Sequence, residues 1–497
     1  MNELRVLPFL HEYVKTNYFT AIFVVLLTLL VSFKYWLPSL RRKKPVHSLS
    51  NRKIIVLFLI ALAGIGIRLG WIGFCHYRPA FSWSEITEKK HGWTEYDEIN
   101  IYASSIAKGE WFHNSEGRAV ARRPIGYPVV LGLLYSALGT STRTLYGSSL
   151  VFYVLTMILI WALTRQLFDE QVGLAAAALF SFYPLAIYSF SLPLDEHLFL
   201  PLWYFGIYLL FREIKGDKIP FAPLWYGLIF GYATMTRTHT VFMPLVVGFT
   251  YFLMKRPFVK IVMAFFVVWI VMQAVTLPWV IRNYREWKII VPYTTSSWVD
   301  FYNANNSIVR GNSNARPLRK GDEGYRKDFQ EAQKAGDVAK VQRIAKEETV
   351  RWVKNHPKEF MFLSLERVLH FMAWTRERGL WAIDLVQEGM KLDPARLLSA
   401  RSKKITEEIG FAAYYTLFYS FILALVWLWR RWTSFDQVRR RSLLVAGACF
   451  FLYLAEHFII WPERKYRYPI EPFMMMGVSA FFIYLVRDFK PLPQKKR

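Results

Sequence analysis

The sequence predicts an all-α polytopic membrane protein, because its apolar residues are too many and too regularly grouped for a soluble fold. Apolar residues fill 54% of the 497 positions and aromatic residues 18%, more than one soluble core inside a polar shell accommodates. They form runs of about 20 residues, the length that crosses a hydrocarbon layer about 30 Å thick. Lysine and arginine give a formal charge of +26 and gather between these runs, where the positive-inside rule places them. The charge therefore indicates topology and anionic lipid headgroups, and no nucleic-acid partner is expected.

Run length and charge together predict about 11 transmembrane helices, within a range of about 10 to 13. The predicted spans are residues 19–38, 53–75, 146–168, 173–190, 194–212, 222–236, 240–254, 259–281, 411–429, 442–461 and 470–486. We expect the first span to remain as an anchor, because no small-residue cleavage site follows it. With the N-terminus outside, the basic loops and the C-terminal tail fall in the cytoplasm. Residues 359–376 are then predicted to lie along the membrane surface, because another crossing would put the arginines at 430–441 outside.

This topology divides the chain into four parts. Its two longest polar stretches, 76–141 and 284–410, both fall outside, where juxtamembrane helices and a small helical region are expected. Within the second stretch, apolar residues recur at intervals of three, four and seven between 338 and 352, which predicts an amphipathic helix. The parts are an anchor helix and basic cytoplasmic loop at 1–52, a transmembrane core at 53–283, the extracytoplasmic region at 284–410, and the last spans with a basic tail at 411–497.

Charged side chains from distant parts of the chain fall on the predicted outer side. Asp97 and Glu98 lie just beyond the second span, on a segment whose apolar spacing suits a helix at the membrane surface. An acidic pair at a helix start is also an ordinary favourable contact with the helix dipole. Arg237 is flanked by two short spans, which leaves it at the membrane boundary unless it snorkels to water. The other outer polar groups include Arg122, Arg123, Asp195, Glu196, His239, Arg282, Asn283, Arg464 and Arg467.

Three further observations limit the chemistry. Cys75 and Cys449 both lie in apolar segments, which predicts neither a disulfide framework nor a zinc cluster. Glu456 and His457 lie inside the tenth predicted span and are interpreted as a satisfied buried pair. The acidic residues offer oxygen ligands for a divalent cation, but an arginine clamp can replace a metal. We therefore expect no required cofactor.

Short motifs occur in a fixed order relative to the predicted spans. With them the chain resembles the protein O-mannosyltransferase and aminoarabinose transferase superfamily of integral-membrane glycosyltransferases, the GT-C fold, from about residue 53 to 487. The motifs are Asp97-Glu98 with Tyr102, Ala107 and Gly109-Glu110-Trp111; Arg-Pro-Ile-Gly-Tyr-Pro at 123–128; Leu167-Phe168; Gly227 to Gly231 before Thr236-Arg237; Pro278 to Tyr284; and Tyr466-Arg467-Tyr468-Pro469.

The resemblance implies transfer of one sugar from a polyprenyl-phosphate or dolichyl-phosphate donor to a lipid, glycan or protein acceptor. It implies the outer face of the bacterial inner membrane, or the lumen of the endoplasmic reticulum, with outer loop 76–141 as the catalytic loop. Asp97 would be the general base or positioning group, with Glu98 beside it. The residues implied to surround it are Arg122, Arg123, Arg237 and Arg282 for the donor phosphate, Asp195, Glu196, His239, Arg464 and Arg467 as a second polar cluster, and Tyr102, Tyr127 and Asn283 as the substrate pocket.

Two departures narrow this resemblance, and two other classes of protein stay open. The aminoarabinose transferases carry Glu-Lys before the proline where this chain has Arg122-Arg123, so aminoarabinose is not expected as the sugar. No Trp-Trp-Asp-Tyr-Gly motif is present, so transfer of a whole oligosaccharide to asparagine is not expected.

A transporter or flippase of lipid-linked sugars would usually show two related halves with polar groups at mid-membrane. A ligase or polymerase would also use a lipid-linked donor, but its lipid would carry a glycan through a diphosphate.

Overall fold

The computed structural model describes residues 51–76, 95–110, 112, 121–191, 193–309, 318–372, 400–460 and 464–488. These residues form α-helices joined by short turns and 3₁₀ segments, and no β-strand occurs among them. The predicted all-α membrane class is therefore confirmed. The predicted anchor at 19–38 lies outside the described residues.

The helices follow one another with short connections through most of the core. In chain order they are α1 (Asn51–His76), α2 (Glu95–Ala107), α3 (Gly126–Leu138), α4 (Thr142–Leu167), α5 (Glu170–Phe182), α6 (Pro184–Tyr188), α7 (Asp195–Ile214), α8 (Ala222–Thr236), α9 (Met243–Leu253), α10 (Phe258–Trp287), α11 (Ser297–Ala304), α12 (Lys327–Ala335), α13 (Val338–Asn355), α14 (Pro357–Met372), α15 (Ala400–Arg430), α16 (Gln437–Glu456) and α17 (Glu471–Asp488).

Four helices in the described part of the chain are long and apolar enough to cross a membrane. They are Arg52–Gly73, Thr142–Leu167, Phe258–Trp287 and Lys404–Arg430. Shorter apolar helices cover Gly126–Leu138, Glu170–Phe182 and Thr238–Leu253. The total of about 11 crossings therefore stays a prediction.

Local sequence sets several helix ends that matter for the site. The Asp169 side chain accepts hydrogen bonds from the backbone N–H groups of Gln171 and Val172, at 2.9 and 3.1 Å, and so caps α5. Helix α8 ends at Thr236, because Arg237 adopts an extended conformation with φ −144° and ψ 122°. The chain then turns through a short 3₁₀ segment, Thr238–Phe242, before α9. This break places Arg237 at a helix end instead of within a continuous apolar helix.

Ion pairs join the ends of several helices at one end of the bundle. The Lys53 ammonium lies 2.8 Å from the Glu170 carboxylate, and an Arg487 guanidinium nitrogen lies 2.6 Å from the Asp169 carboxylate. Arg439 donates a hydrogen bond to the Phe168 carbonyl at 3.3 Å. The loops that contribute these residues are the ones expected in the cytoplasm. Their meeting at one end agrees with the alternation on which the topology prediction depends.

Helices α11, α12 and α13 form a small subdomain tied to the bundle by a buried arginine. Helices α11, α12 and α13 pack around Tyr302, Phe329 and Ile344, and α13 buries Val341, Ala345 and Trp352 on one face. The amphipathic helix predicted there is confirmed.

Arg367, on α14, is fully buried and fixes the position of this subdomain. Its guanidinium donates to the carbonyls of Phe458 and Ile459 at 3.0 and 3.1 Å, and to the Ala304 carbonyl. Ala304 ends α11, and the other two carbonyls follow the end of α16. The negative ends of two helix dipoles therefore face one cation, a favourable arrangement that joins the subdomain to the bundle.

Cysteine labelling tests the predicted side of the outer subdomain. Lys320 is exposed in the loop before α12, and Ser434 is exposed in the loop before α16. In a chain without Cys75 and Cys449, we expect a membrane-impermeant maleimide to label Lys320→Cys in intact cells. Ser434→Cys should react only after the membrane is opened. Protection of position 320 in intact cells would overturn the topology.

Candidate functional site

Glu98 and two arginines form the first half of the candidate site. The Glu98 side chain is buried at 6% exposure and accepts hydrogen bonds from Arg122 at 3.3 Å and Arg123 at 3.1 Å. Arg122 is exposed and Arg123 is mostly buried, with side-chain exposures of 63% and 24%. Since two guanidinium groups share one carboxylate, the group keeps a net positive charge. Such a charge can bind an anion.

Tyr102 lies beside this group in an aromatic cluster. It packs with Phe112 and Trp279, with ring centroids 6.1 Å apart for Tyr102 and Phe112 and 4.8 Å apart for Phe112 and Trp279. Burial, and then the nearby Glu98 carboxylate, raise the pKa of the Tyr102 hydroxyl above its ordinary value, although nearby arginines oppose this shift. The hydroxyl therefore stays protonated at neutral pH and can act as a donor.

Arg282 contacts both Phe112 and the tryptophans of this cluster. Phe112 has φ +60°, an uncommon conformation for a bulky residue. Arg282 donates a hydrogen bond to the Phe112 carbonyl at 3.0 Å and stacks over the rings of Trp279 and Trp287, at 5.0 and 5.2 Å from their centroids. Arg282 thus holds the backbone at Phe112, and its charge also reaches Tyr102.

The loop that carries Arg123 packs against the end of α8, which carries Arg237. Gly126 lies so close to α8 that a Cβ placed on it would come within 2.5 Å of the Thr236 side chain and 2.8 Å of the Met235 backbone. The Tyr232 hydroxyl donates to the Gly126 carbonyl at 2.9 Å. Only glycine permits this approach, and it brings together the two chain segments that carry Arg123 and Arg237.

Arg237 and the first turn of α7 form the second half of the site. The Arg237 guanidinium pairs with the Glu196 carboxylate and lies over the Tyr466 ring at 4.9 Å from its centroid. Glu196 is buried, with 1% exposure, and Asp195 beside it is also buried. Tyr127 is fully buried and has Asp195 and Ser149 as polar neighbours. The structure therefore brings together Arg237, Asp195 and Glu196, which sequence analysis put on the same side of the membrane but in two different groups.

His239 belongs to the same half but faces a partner not expected from the sequence. Its Nδ1 pairs with the Glu456 carboxylate. Its ring lies 4.4 Å from that of Tyr453 and 5.8 Å from that of His457, measured between centroids. Glu456 thus pairs with His239, whereas His457 Nδ1 lies 3.1 Å from the Tyr453 carbonyl. The two neighbouring residues therefore do not form the satisfied pair interpreted from the sequence, because each contacts a different group.

Other predicted site residues have structural contacts or lie outside the described atoms. Arg467 is fully buried and pairs with Glu471 at 3.1 Å, and it donates to the Phe371 carbonyl at 2.9 Å. Asn283 donates to the Val291 carbonyl at 2.9 Å and so fixes the turn after α10. The backbone of Asp97 lies on α2, but its side chain and that of Arg464 are outside the described residues.

Sequence analysis missed two groups that the structure places at or near the site. Tyr453 and Tyr466 were not predicted to take part, because tyrosines in or beside a span are ordinary packing residues. Arg68 is fully buried inside α1, donates to the carbonyls of Ser181 and Ala186 at 2.9 and 3.3 Å, and stacks on the Tyr153 ring at 3.7 Å. A charged residue inside an apolar run is the signal that could have marked Arg68.

A metal requirement is left open by this geometry. Within the described ranges, no group of three or more histidine, cysteine, aspartate or glutamate side chains is arranged to hold a metal ion. The Asp97 side chain lies outside the described residues.

The sequence of the core matches a known enzyme family. The family is the dolichyl-phosphate-mannose-protein mannosyltransferases, and its model matches residues 122–281. The predicted resemblance is confirmed. This mannosyltransferase match covers about a third of the chain and includes the arginines of both halves of the candidate site, Arg122, Arg123 and Arg237, but not Glu98. No match to the chain was found among curated proteins.

Solved structures of an archaeal enzyme also resemble the chain. The oligosaccharyltransferase AglB from Archaeoglobus fulgidus, in complex with an inhibitory peptide and a dolichol-phosphate, is 11% identical over 89% of this chain and 52% of that chain, with a TM-score of 0.44. The apo form of the Archaeoglobus fulgidus oligosaccharyltransferase is 12% identical over 88% of this chain and 50% of that chain, with a TM-score of 0.48. The chain spans about half the length of these structures.

Proposed function

We propose that the protein is an integral-membrane glycosyltransferase that moves a single sugar from a polyprenyl-phosphate or dolichyl-phosphate donor. The acceptor would bind on the extracytoplasmic face, and it could be a lipid, a glycan or a protein. The contact between Gly126 and the end of α8 carries this proposal, because it joins the Arg123 loop to Arg237. The mannosyltransferase match, which contains this contact, supports it.

The arginines would stabilise the phosphate as the sugar leaves. When the bond between sugar and phosphate breaks, the lipid phosphate gains negative charge, and donors placed at developing charge give the largest catalytic contribution in many enzymes. Arg237 Nε is buried and has no hydrogen-bond partner among the described residues. It is therefore available to donate to a phosphate oxygen while another guanidinium nitrogen remains paired with Glu196.

The two neighbouring carboxylates on α2 would have different roles. Glu98 accepts from both Arg122 and Arg123, so we propose that it positions Arg123 and does not take the acceptor proton. Asp97 is the candidate general base for the acceptor hydroxyl, a contribution of about 10²- to 10⁴-fold in typical enzymes.

A transporter of lipid-linked sugars is one alternative. Transporters place their substrate sites near the bilayer midplane. The polar groups here lie at helix ends that the predicted topology puts on the same outer side: Asp195 begins α7, Arg237 follows α8 and Glu456 ends α16. A set of polar groups gathered at one predicted surface favours a transferase.

Mass spectrometry of cells that lack the protein tests the proposal. Compared with cells carrying the wild-type chain, we expect loss of one sugar from a surface glycan and accumulation of that sugar on a lipid monophosphate. Accumulation of a diphosphate-linked glycan would favour the ligase or polymerase. Equal lipid and glycan profiles in both strains would contradict the proposed function.

A further inference from the structure

Beyond the phosphate-binding arginines, the structure gathers a group of aromatic and polar side chains that no predicted role explains. We call it the histidine–tyrosine cluster, and it consists of His239, Tyr453, Glu456, His457 and Tyr466. The ring centroids of His457 lie 5.7 Å from Tyr453 and 5.9 Å from Tyr466, and His239 lies 6.2 Å from Tyr466. The members come from the turn after α8, the end of α16 and the segment before α17.

Several polar atoms of this cluster are buried without a hydrogen-bond partner in the part of the chain that the structure describes. They are His239 Nε2, the Tyr453 hydroxyl, Glu456 Oε1 and, on the neighbouring α7, Glu196 Oε2. Tyr453 and Glu196 are 2% and 1% exposed. Buried polar groups are nearly always satisfied, and one such atom would need only a water molecule. Four such atoms in one group indicate a ligand with several hydroxyl groups, or a set of waters in its place.

The carboxylates of the cluster can accept hydrogen bonds from hydroxyl groups. Glu196 pairs with Arg237 through one oxygen, and Glu456 pairs with His239 through one oxygen. Their other oxygens, Glu196 Oε2 and Glu456 Oε1, have no hydrogen-bond partner among the described residues. The tyrosine and histidine rings add flat apolar surfaces, and a pocket that combines such surfaces with a few placed polar atoms is typical of small-molecule sites.

We propose that the histidine–tyrosine cluster, with Glu196, binds the sugar of the lipid-linked donor through the sugar's hydroxyl groups. Arg237 connects this site to the phosphate, because it pairs with Glu196 and stacks on Tyr466. A phosphate held by Arg237 thus places the attached sugar against the cluster. The inference rests on the proposed function and adds the residues that select the sugar.

Binding of two lipids to the full chain in nanodiscs tests the inference. The probes are bare polyprenyl phosphate and the same lipid carrying mannose or glucose. We expect the wild-type chain to bind one of the sugar-linked lipids at least about tenfold more tightly than the bare lipid. Tyr453→Phe and Glu456→Gln should each reduce this preference by about tenfold, the value of one lost hydrogen bond to a polar or charged group. Both should leave the affinity for bare polyprenyl phosphate unchanged.

We expect Tyr453→Phe to fold normally, because it keeps the ring and removes a hydroxyl that has no hydrogen-bond partner among the described residues. Tyr226→Phe is the matched control, since the Tyr226 hydroxyl donates to Glu213 at 2.8 Å near the start of α8, whereas His239 of the cluster follows the end of that helix. The control should keep the preference of the wild type.

Each other outcome overturns a defined claim. If the wild type binds bare and sugar-linked lipids equally, the cluster holds only water and the inference fails. If Tyr453→Phe and Glu456→Gln both keep the preference for the sugar-linked lipid, or weaken the binding of both lipids equally, the cluster does not select the sugar. If the wild type binds neither kind of lipid, the proposed function itself fails.

Discussion

Replacing Asp97 with asparagine is expected to lower sugar transfer by about 10²- to 10⁴-fold, the usual contribution of a general base. Asparagine keeps the shape of the side chain but cannot accept the proton of an acceptor hydroxyl. The loss should therefore appear in kcat, with donor binding little changed. Steady-state transfer by the purified chain measures this effect, and retained insertion in the membrane shows that the variant folds.

Glu98→Gln is the matched comparison, because it changes the adjacent carboxylate in the same way. Glu98 accepts hydrogen bonds from Arg122 and Arg123, so its neutralisation should loosen Arg123. We expect mainly a higher KM for the donor. Normal activity of Asp97→Asn, or the same kinetic pattern in both variants, would contradict the division of roles between the two carboxylates.

Loss of Arg237 is expected to have the second largest effect, and it separates a phosphate ligand from a snorkelling side chain. Arg237→Ala removes the partner of Glu196, which is buried at 1% exposure. Breaking a buried ion pair typically costs about 3 to 5 kcal/mol in stability. The single variant can therefore lose function by unfolding, and it needs a companion.

The companion is the double variant Arg237→Ala with Glu196→Gln, which removes both charges of the ion pair. We expect it to regain most of the lost thermal stability but to bind bare polyprenyl phosphate at least about tenfold more weakly than the wild type, because a charge-assisted hydrogen bond is absent. Thermal unfolding and lipid binding in nanodiscs measure the two effects. If the double variant binds the lipid normally, Arg237 serves only the structure.

The sequence was sufficient to predict the features that depend on composition and periodicity. Apolar runs predicted the helices of the core, and spacing predicted the amphipathic helix from Val338 to Asn355. The predicted topology also put Arg237 and Glu196 on the same side of the membrane, and the structure shows that they pair. These features depend on local pattern and on the alternation of sides, and both can be read along the chain.

Contacts between distant residues could not be predicted in the same way. His239 and Glu456 pair across 217 positions, and nothing local to Glu456 distinguishes that partner from the adjacent His457. The φ of +60° at Phe112 depends on the Arg282 hydrogen bond to its carbonyl. Arg467 has Glu471 four residues later, a spacing that would have indicated its structural ion pair.

The measurement that tests the central claim most directly follows the lipid product of the purified chain. Full-length protein in nanodiscs would receive a polyprenyl-phosphate-linked sugar, with extracts of the cell envelope as the acceptor source. We predict that bare polyprenyl monophosphate appears in step with a new glycan, and that Asp97→Asn produces neither. If the wild type leaves the donor intact, or moves it across the bilayer without cleavage, the account of a glycosyltransferase is contradicted.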